Sequence, residues 1–419
     1  MQVRREVVVT GLGAVTPLGG DVASTWEGLL NGRSGITVLD DPRFEDFPVR
    51  LAAPAAVDPA ELMPRAEARR VDRTQQFALV AAREAWRDSG LAQLAGTERA
   101  VPGERLGVSV GSCLSGASSL FETWDMLREK GPRYVSPFTA GRILPDASAS
   151  WIGLDIGAKA VVETPEAACA TGNDALRRGA ELVRSGKADV VVAGGTDAMV
   201  HPFVISAFIS MRALSRRNDE PELAARPFTR TREGFVIGEG AAVMVLESAE
   251  HAAARGARMY ARLAGVGYSS DSHDFAQPDP TGAGQAAAIR EAMADAGLEP
   301  GQIAHVNAHA ASTPQGDLTE SIAIRSVLGA HTDDVVVTAP KSSMGHLMAG
   351  AGAAESMAAV LALYHRVVPP TLNQDDYDEE IALDVAQKPR HLPEEGELAA
   401  LSNSFGLGGR NVVLAFRTA

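Results

Sequence analysis

Arg83-Glu84-Ala85-Trp86-Arg87-Asp88-Ser89-Gly90-Leu91 returns later in the chain as Arg290-Glu291-Ala292-Met293-Ala294-Asp295-Ala296-Gly297-Leu298, identical at six of nine positions. Each segment reads as a helix end stopped by a glycine just past the C-cap, where a left-handed backbone favours a residue without a side chain. One short match between alanine-rich helices can arise by chance. A second echo makes internal duplication the better explanation: Ile237-Gly238-Glu239-Gly240 leads into the apolar run Ala241 to Leu246, as Leu407-Gly408-Gly409-Arg410 leads into Asn411 to Phe416.

Outward from these segments, strand-like and helix-like patterns alternate. Val7 to Thr10 is followed by a helix near Gln75 to Ser89, opened by an Asp72/Gln75 capping box, and then by a strand at Leu106 to Gly111. Val161 to Glu163, a helix after Cys169 with Leu176, Ala180 and Val183 on one face, and Val190 to Ala193 continue the series. The first half, residues 1–252, ends there. The second, residues 253–419, begins with strand Arg262 to Tyr268 and helix Gly284 to Ala296. Strands Ile303 to Ala308 and Val335 to Thr338 come next, then helix Gly352 to Tyr364. An α/β architecture of two sheets covered by helices is implied.

At 419 residues the chain is long enough for a large buried core. Its apolar runs are broken well short of the roughly 20 residues a membrane span needs, and no signal-peptide pattern opens it, so a cytoplasmic protein is expected. The net charge of -14 argues against broad nucleic-acid binding. Two cysteines, Cys113 and Cys169, are too few for a disulfide framework, which leaves a thiol free for chemistry.

Cys169 is the better candidate, because it follows the strand at Val161 to Glu163 and precedes a helix with Thr171-Gly172 in its first turn. Partial positive charge at a helix start favours thiolate and is expected to lower the thiol pKa. A buried structural cysteine is the bland alternative, and Cys113 keeps that reading. His309 leaves a strand and enters the turn Ala310-Ala311-Ser312-Thr313-Pro314; His346 ends Lys341-Ser342-Ser343-Met344-Gly345-His346, again between strand and helix. Strand ends are where α/β proteins place ligands. The spacings of 140 and 37 residues between Cys169, His309 and His346 match no compact zinc motif, so no metal is expected. Acyl transfer suits the set better: a thiolate stores an acyl group, and histidine N–H donors hold a carbonyl oxygen as negative charge develops.

Four segments together resemble the β-ketoacyl-acyl-carrier-protein synthases of the elongating type, ketosynthase II, over nearly the whole chain. They are Glu166 to Gly172 around Cys169, Asn307-Ala308-His309 with Ser312-Thr313-Pro314, Lys341-Ser342 with Gly345-His346, and Asn403-Ser404-Phe405-Gly406 with Gly408-Gly409 and Asn411. The resemblance implies a thiolase-type fold, its duplicated half-domains forming α-β-α-β-α layers, and decarboxylative Claisen condensation. It implies Cys169 as nucleophile, with its own N–H and that of Phe405 as oxyanion hole and Phe405 as gate. His309 and His346 would polarise the malonyl thioester, and Lys341 would pair with Glu355. It places a phosphopantetheine arm between the loop of Thr313 and Ala311 and the segment of Ser270 and Ala276, an acyl pocket at Leu114 and Phe208, and carrier-protein docking at Arg212 and Arg217. No cofactor is implied. The partners implied are acyl carrier protein and a second copy of the chain, or a chain-length-factor-like subunit in a heterodimer.

The sequence departs from the family pattern where Ala311 and Ala276 stand in place of arm-contacting threonines, and Leu407 and Arg410 differ from the common Phe and Thr or His. Each lost hydroxyl should weaken arm binding by about 0.5–1.5 kcal/mol. The changes point to a variant in an antibiotic or polyketide locus, tolerant of inhibitors that mimic the malonyl-pantetheine arm. Degradative thiolases carry a further cysteine near the C-terminus and none follows Cys169; initiating synthases have asparagine where His346 stands. A non-catalytic partner subunit would lack the nucleophile.

Overall fold

A computed structural model of the chain describes residues 4–94 and 101–419. In the first half, strands β1 (Val7–Val15), β2 (Leu106–Gly111), β3 (Val161–Glu163), β4 (Val190–Asp197) and β5 (Gly240–Ser248) lie in the order β3-β2-β4-β5-β1. In the second, β6 (Ala261–Ser270), β7 (Ile303–Asn307), β8 (Val336–Thr338), β10 (Ala399–Gly406) and β11 (Arg410–Thr418) take the order β8-β7-β10-β11-β6. A two-residue strand, β9 (Asp384–Val385), adds to the β8 edge. The pairings repeat as well: parallel at β2–β3, β2–β4, β7–β8 and β7–β10, with β9 also parallel to β8, and antiparallel elsewhere. The two layers are not separate sheets, as the alternation alone implies, because Val8 and Val9 of β1 pair with Arg262 and Ala261 of β6 and join them edge to edge.

Helix α1 (Arg73–Asp88) packs on β1, β4 and β5, and α2 (Ala147–Ile156) on β2; α4 (Ala283–Ala296) packs on β6 and β11 beside α5 (Pro314–Leu328). Between the layers run α3 (Thr171–Arg184) and α6 (Ala349–His365), which touch each other and strands of both layers. This is the five-layered thiolase-type arrangement. α6 is buried from Ala349 to Leu363, and its alanines and glycines let neighbours approach on every side. Where α3 crosses it, a Cβ on Gly172 would lie 2.4 Å from Ala353 N, so only glycine fits.

The capping box opens α1 as expected: Asp72 accepts from Thr74 N–H at 2.9 Å and Gln75 from Asp72 N–H at 3.0 Å. The repeated nine-residue segment has a shared task. In the first half Glu84 and Asp88 accept the N–H groups of Ala14 and Leu12, at 2.8 and 3.0 Å. In the second, Glu291 and Asp295 accept those of Tyr268 and Val266, at 2.8 and 2.9 Å. Each helix therefore ties down the strand beneath it.

Candidate active site

Cys169 sits in the single turn Ala168–Ala170 that runs directly into α3. The reversal from β3 forces Ala168 to φ +49°, in the left-handed region. Thr171 Oγ1 accepts the Ala167 N–H at 2.9 Å and Glu166 Oε1 the Ala168 N–H at 2.8 Å, so residues flanking the cysteine brace the strained turn. From the other half, the Ser404 hydroxyl donates to the Cys169 carbonyl at 3.1 Å.

Two backbone N–H groups reach the sulfur, those of Cys169 and Leu407. The second differs from the expected Phe405. Phe405 still lies in the β10–β11 ladder opposite Asn411, and β10 ends at Gly406, so Leu407 carries the first amide free of the ladder. The Phe405 ring lines the cavity instead, 5.9 Å from the His309 ring. The expected lowering of the thiol pKa is also overturned. Burial pushes it up to about 11, outweighing the two N–H groups and the Lys341 charge that draw it down.

His309 and His346 face one another with ring centroids 5.5 Å apart. Lys341 Nζ donates to the His309 carbonyl at 2.6 Å and lies 3.2 Å from His309 Nδ1; its other partner is Glu355 Oε1 at 2.6 Å, the pairing expected. A lysine ammonium only donates, so His309 Nδ1 must be the acceptor and the ring proton sits on Nε2. His346 Nδ1 accepts the Met348 N–H at 3.0 Å, which sets the same tautomer. Burial first, and the Lys341 charge second, hold both imidazoles well below the ordinary histidine pKa. Two neutral rings, each with Nε2–H as the free donor, result.

Sequence reading missed what positions His309. Glu320, on α5, accepts the N–H groups of His309 and Ala310 at 2.9 and 2.7 Å and the Asn403 amide at 2.9 Å. Asp317, one turn earlier, accepts the N–H groups of Phe228 and Thr313 at 2.9 and 3.2 Å. The signal was present: Asp317 and Glu320 share a helical face with Ile324 and Leu328, so two acids point where a core stripe belongs. Asp197 was missed too; buried beside Cys113, it accepts from Ser112 Oγ at 2.7 Å and from Ala349 N–H at 2.7 Å, anchoring the start of α6.

A cavity of about 350 Å³ collects Cys169, His309, His346 and Phe405. Ala276, Ala311 and Thr313 line it as well, as do Phe208 and Arg212. Lys341 and Glu355 stand behind the histidines, fully buried. Other expected residues lie elsewhere. Ser270 ends β6, paired with Arg410, outside the cavity wall. Leu114 does not line the cavity of the single chain; its side chain is exposed. Arg217 is turned away, paired with Glu220 at 3.3 Å, and the basic neighbour sharing a surface depression with Arg212 is Arg216. No cluster of metal-ligating side chains occurs among the described residues.

A buried thiol at a helix start facing two Nε2–H imidazoles, on a duplicated five-layer fold, defines a thiolase-type condensing enzyme. Residues 4–252 match the beta-ketoacyl synthase N-terminal domain and residues 260–375 its C-terminal domain. The chain belongs to the beta-ketoacyl synthase family. It is 42% identical over 415 residues to 3-oxoacyl-[acyl-carrier-protein] synthase 2 of Mycobacterium tuberculosis strain H37Rv, covering 98% of this chain and 96% of that one. Its identity to the same-named protein of Staphylococcus aureus strain COL is 39% over 418 residues, covering 100% and 99%. Among solved structures, a beta-ketoacyl synthase of Burkholderia phymatum superposes with a TM-score of 0.88 at 33% identity, covering 99% of this chain and 100% of that one. A type II PKS ketosynthase in complex with its acyl-carrier protein gives 0.89 at 32% identity, with the same coverage.

Proposed function

We propose that the chain elongates acyl chains in fatty acid synthesis by decarboxylative Claisen condensation. In the first half-reaction the Cys169 thiol exchanges with an acyl thioester of the carrier protein, giving acyl-Cys169 and the free pantetheine thiol. In the second, the malonyl thioester of a carrier protein loses carbon dioxide, and its enolate carbon attacks acyl-Cys169. The cysteine leaves as thiolate and takes a proton, and a 3-oxoacyl thioester departs. His309 and His346 hold the malonyl carbonyl through their Nε2–H groups and stabilise the enolate. The N–H groups of Cys169 and Leu407 bind the oxyanion at the acyl carbon. The observation that carries the reading is the pair of neutral, tautomer-locked imidazoles in one cavity with Cys169.

The reading requires no cofactor, since both acyl groups arrive on phosphopantetheine. Mass spectrometry after incubation with a panel of acyl-carrier thioesters should find the acyl group on Cys169, and malonyl carrier should then release carbon dioxide. Failure of every donor to label Cys169 would overturn it. The lost hydroxyls at Ala276 and Ala311, both on the cavity wall, favour a variant tolerant of arm-mimicking inhibitors. Such an inhibitor should bind more tightly after Ala276→Thr and Ala311→Thr, and unchanged affinity would count against tolerance.

Assembly as a homodimer is supported by Trp124, Tyr134, Leu144 and Leu154, large apolar side chains exposed in residues 114–162, and by β3, which among the described residues has a partner on one side only. Sedimentation of the purified chain should give twice the monomer mass. A monomer would favour the second reading, a ketosynthase subunit that pairs with a chain-length-factor-like partner in polyketide assembly, which the likeness to type II PKS ketosynthases supports.

A further inference from the structure

Gln285 lines the same cavity as Cys169, His309 and Thr313, yet it carries no part of the chemistry above. It stands in the first turn of α4, and its residue is only 2% exposed. Its Oε1 is buried and has no hydrogen-bond partner among the described residues. A buried unpaired acceptor costs about 1–3 kcal/mol, and an apolar residue would avoid it. The residues that follow it on α4, Ala286, Ala288 and Ile289, are apolar and buried. The backbone beneath Gln285 is also held in place. Ser269 Oγ donates to the Gly284 carbonyl at 2.6 Å, and a Cβ on Gly284 would lie 2.0 Å from Asp271 Oδ1 and 2.9 Å from Asn411 Nδ2. The first turn of α4 therefore cannot back away from the cavity, and the side chain stays on its wall.

The same wall has lost polar groups. Ala276 and Ala311, both lining the cavity, present methyl groups where, on the condensation reading, the arm of an incoming thioester passes. A phosphopantetheine arm carries two secondary amides, and burying an amide N–H without an acceptor is as unfavourable as leaving Oε1 unpaired. The two deficits are complementary.

We infer that Gln285 is a specificity-determining residue for the arm, its Oε1 accepting a hydrogen bond from a secondary amide N–H of a pantetheine-linked substrate. The inference rests on the condensation reading and extends it to the recognition of the arm. One neutral hydrogen bond of this kind corresponds to about three- to tenfold in affinity.

The test compares wild type with Gln285→Ala and Gln285→Leu, using malonyl-pantetheine and two analogues in which each amide N–H in turn is replaced by an ester oxygen. Wild type should show a KM about three- to tenfold higher for one ester analogue than for the amide, with kcat little changed. Both variants should lose that discrimination while iodoacetamide alkylates their Cys169 at the wild-type rate. Their thermal midpoints should equal or exceed that of wild type, because each removes an unpaired acceptor. Retained discrimination in the variants, or no discrimination in wild type, overturns the assignment. So does a lowered midpoint in both variants, which would reveal an internal partner for the amide. Wild type that turns over none of the three substrates, but does acylate Cys169 from carrier thioesters, also overturns it. Absence of acylation from any thioester is instead the failure of the condensation reading.

Discussion

Replacing Lys341 by methionine keeps the length of the side chain and deletes its charge. The ammonium pairs with Glu355 at 2.6 Å and donates to the His309 carbonyl at 2.6 Å, and both charged groups of the pair lie within the core. Losing the hydrogen bonds to His309 should cost about 3 kcal/mol at any pH, since a charged donor is worth about 1.5–3 kcal/mol per bond. The Glu355 contribution depends on pH. Burial raises its carboxyl to about 7 even with Lys341 beside it, above the ordinary 4.5. A raised acid binds its proton more tightly when folded, so wild type loses stability as pH climbs from about 4.5 to 7 and nothing more beyond. Without Lys341 the folded pKa rises further, and the loss continues at about 1.4 kcal/mol for each pH unit above 7. Urea unfolding of wild type and Lys341→Met at pH 5.5 and 8.5 should therefore show a penalty larger by about 2 kcal/mol at the higher pH. Carbon dioxide release from malonyl carrier should also fall by about 100-fold, because His309 Nδ1 loses the donor that keeps the proton on Nε2. An equal penalty at both pH values would refute the argument that Lys341 is what permits a charged Glu355.

Glu320→Gln keeps one acceptor oxygen but turns an NH2 group toward the His309, Ala310 and Asn403 donors. Stability should drop by about 2 kcal/mol and decarboxylation should slow, while iodoacetamide labelling of Cys169 is unaffected; equal losses in both assays would show a general collapse of the site. Ala310 is held at φ +20°, where a Cβ is strained, so Ala310→Gly should raise the urea midpoint by about 0.5–1 kcal/mol of stability. A lowered midpoint would show that the turn is not strained. In the substrate-free protein, alkylation of Cys169 should rise about tenfold per pH unit from 7 to 10, as expected of a thiol pushed up to about 11; a plateau near pH 8 would contradict the dominance of burial.

The duplicated helix segment was legible because a repeat is a property of the string, but its purpose was not. The strands beneath the two copies carry matching glycines, Gly11 and Gly13 against Gly265 and Gly267. A Cβ on any of them would lie within about 2.2 Å of a helix carbonyl, that of Ala85, Ala81, Ala292 or Ala288. That correspondence emerges only once Glu84 and Asp88, and Glu291 and Asp295, are seen bonded to those strands. Helices α2 and α5 went unread, and with α5 went Asp317 and Glu320, although two acids on its apolar stripe were there to be read.

Whereas the role expected of Lys341 came from the family resemblance, residue order alone singled out Cys169, His309 and His346 as candidates, because each sits at a strand-to-helix junction that local periodicity marks. It could not say which amide would meet the sulfur, since that depends on where the β10–β11 ladder releases the chain, and the answer is Leu407 rather than Phe405. Nor could it give the sign of the thiol shift: a helix start is visible in four residues, whereas desolvation sums over every atom packed around the sulfur. The imidazole tautomers and the unpaired oxygen of Gln285 belong to the same class, for each is set by partners brought close only by folding.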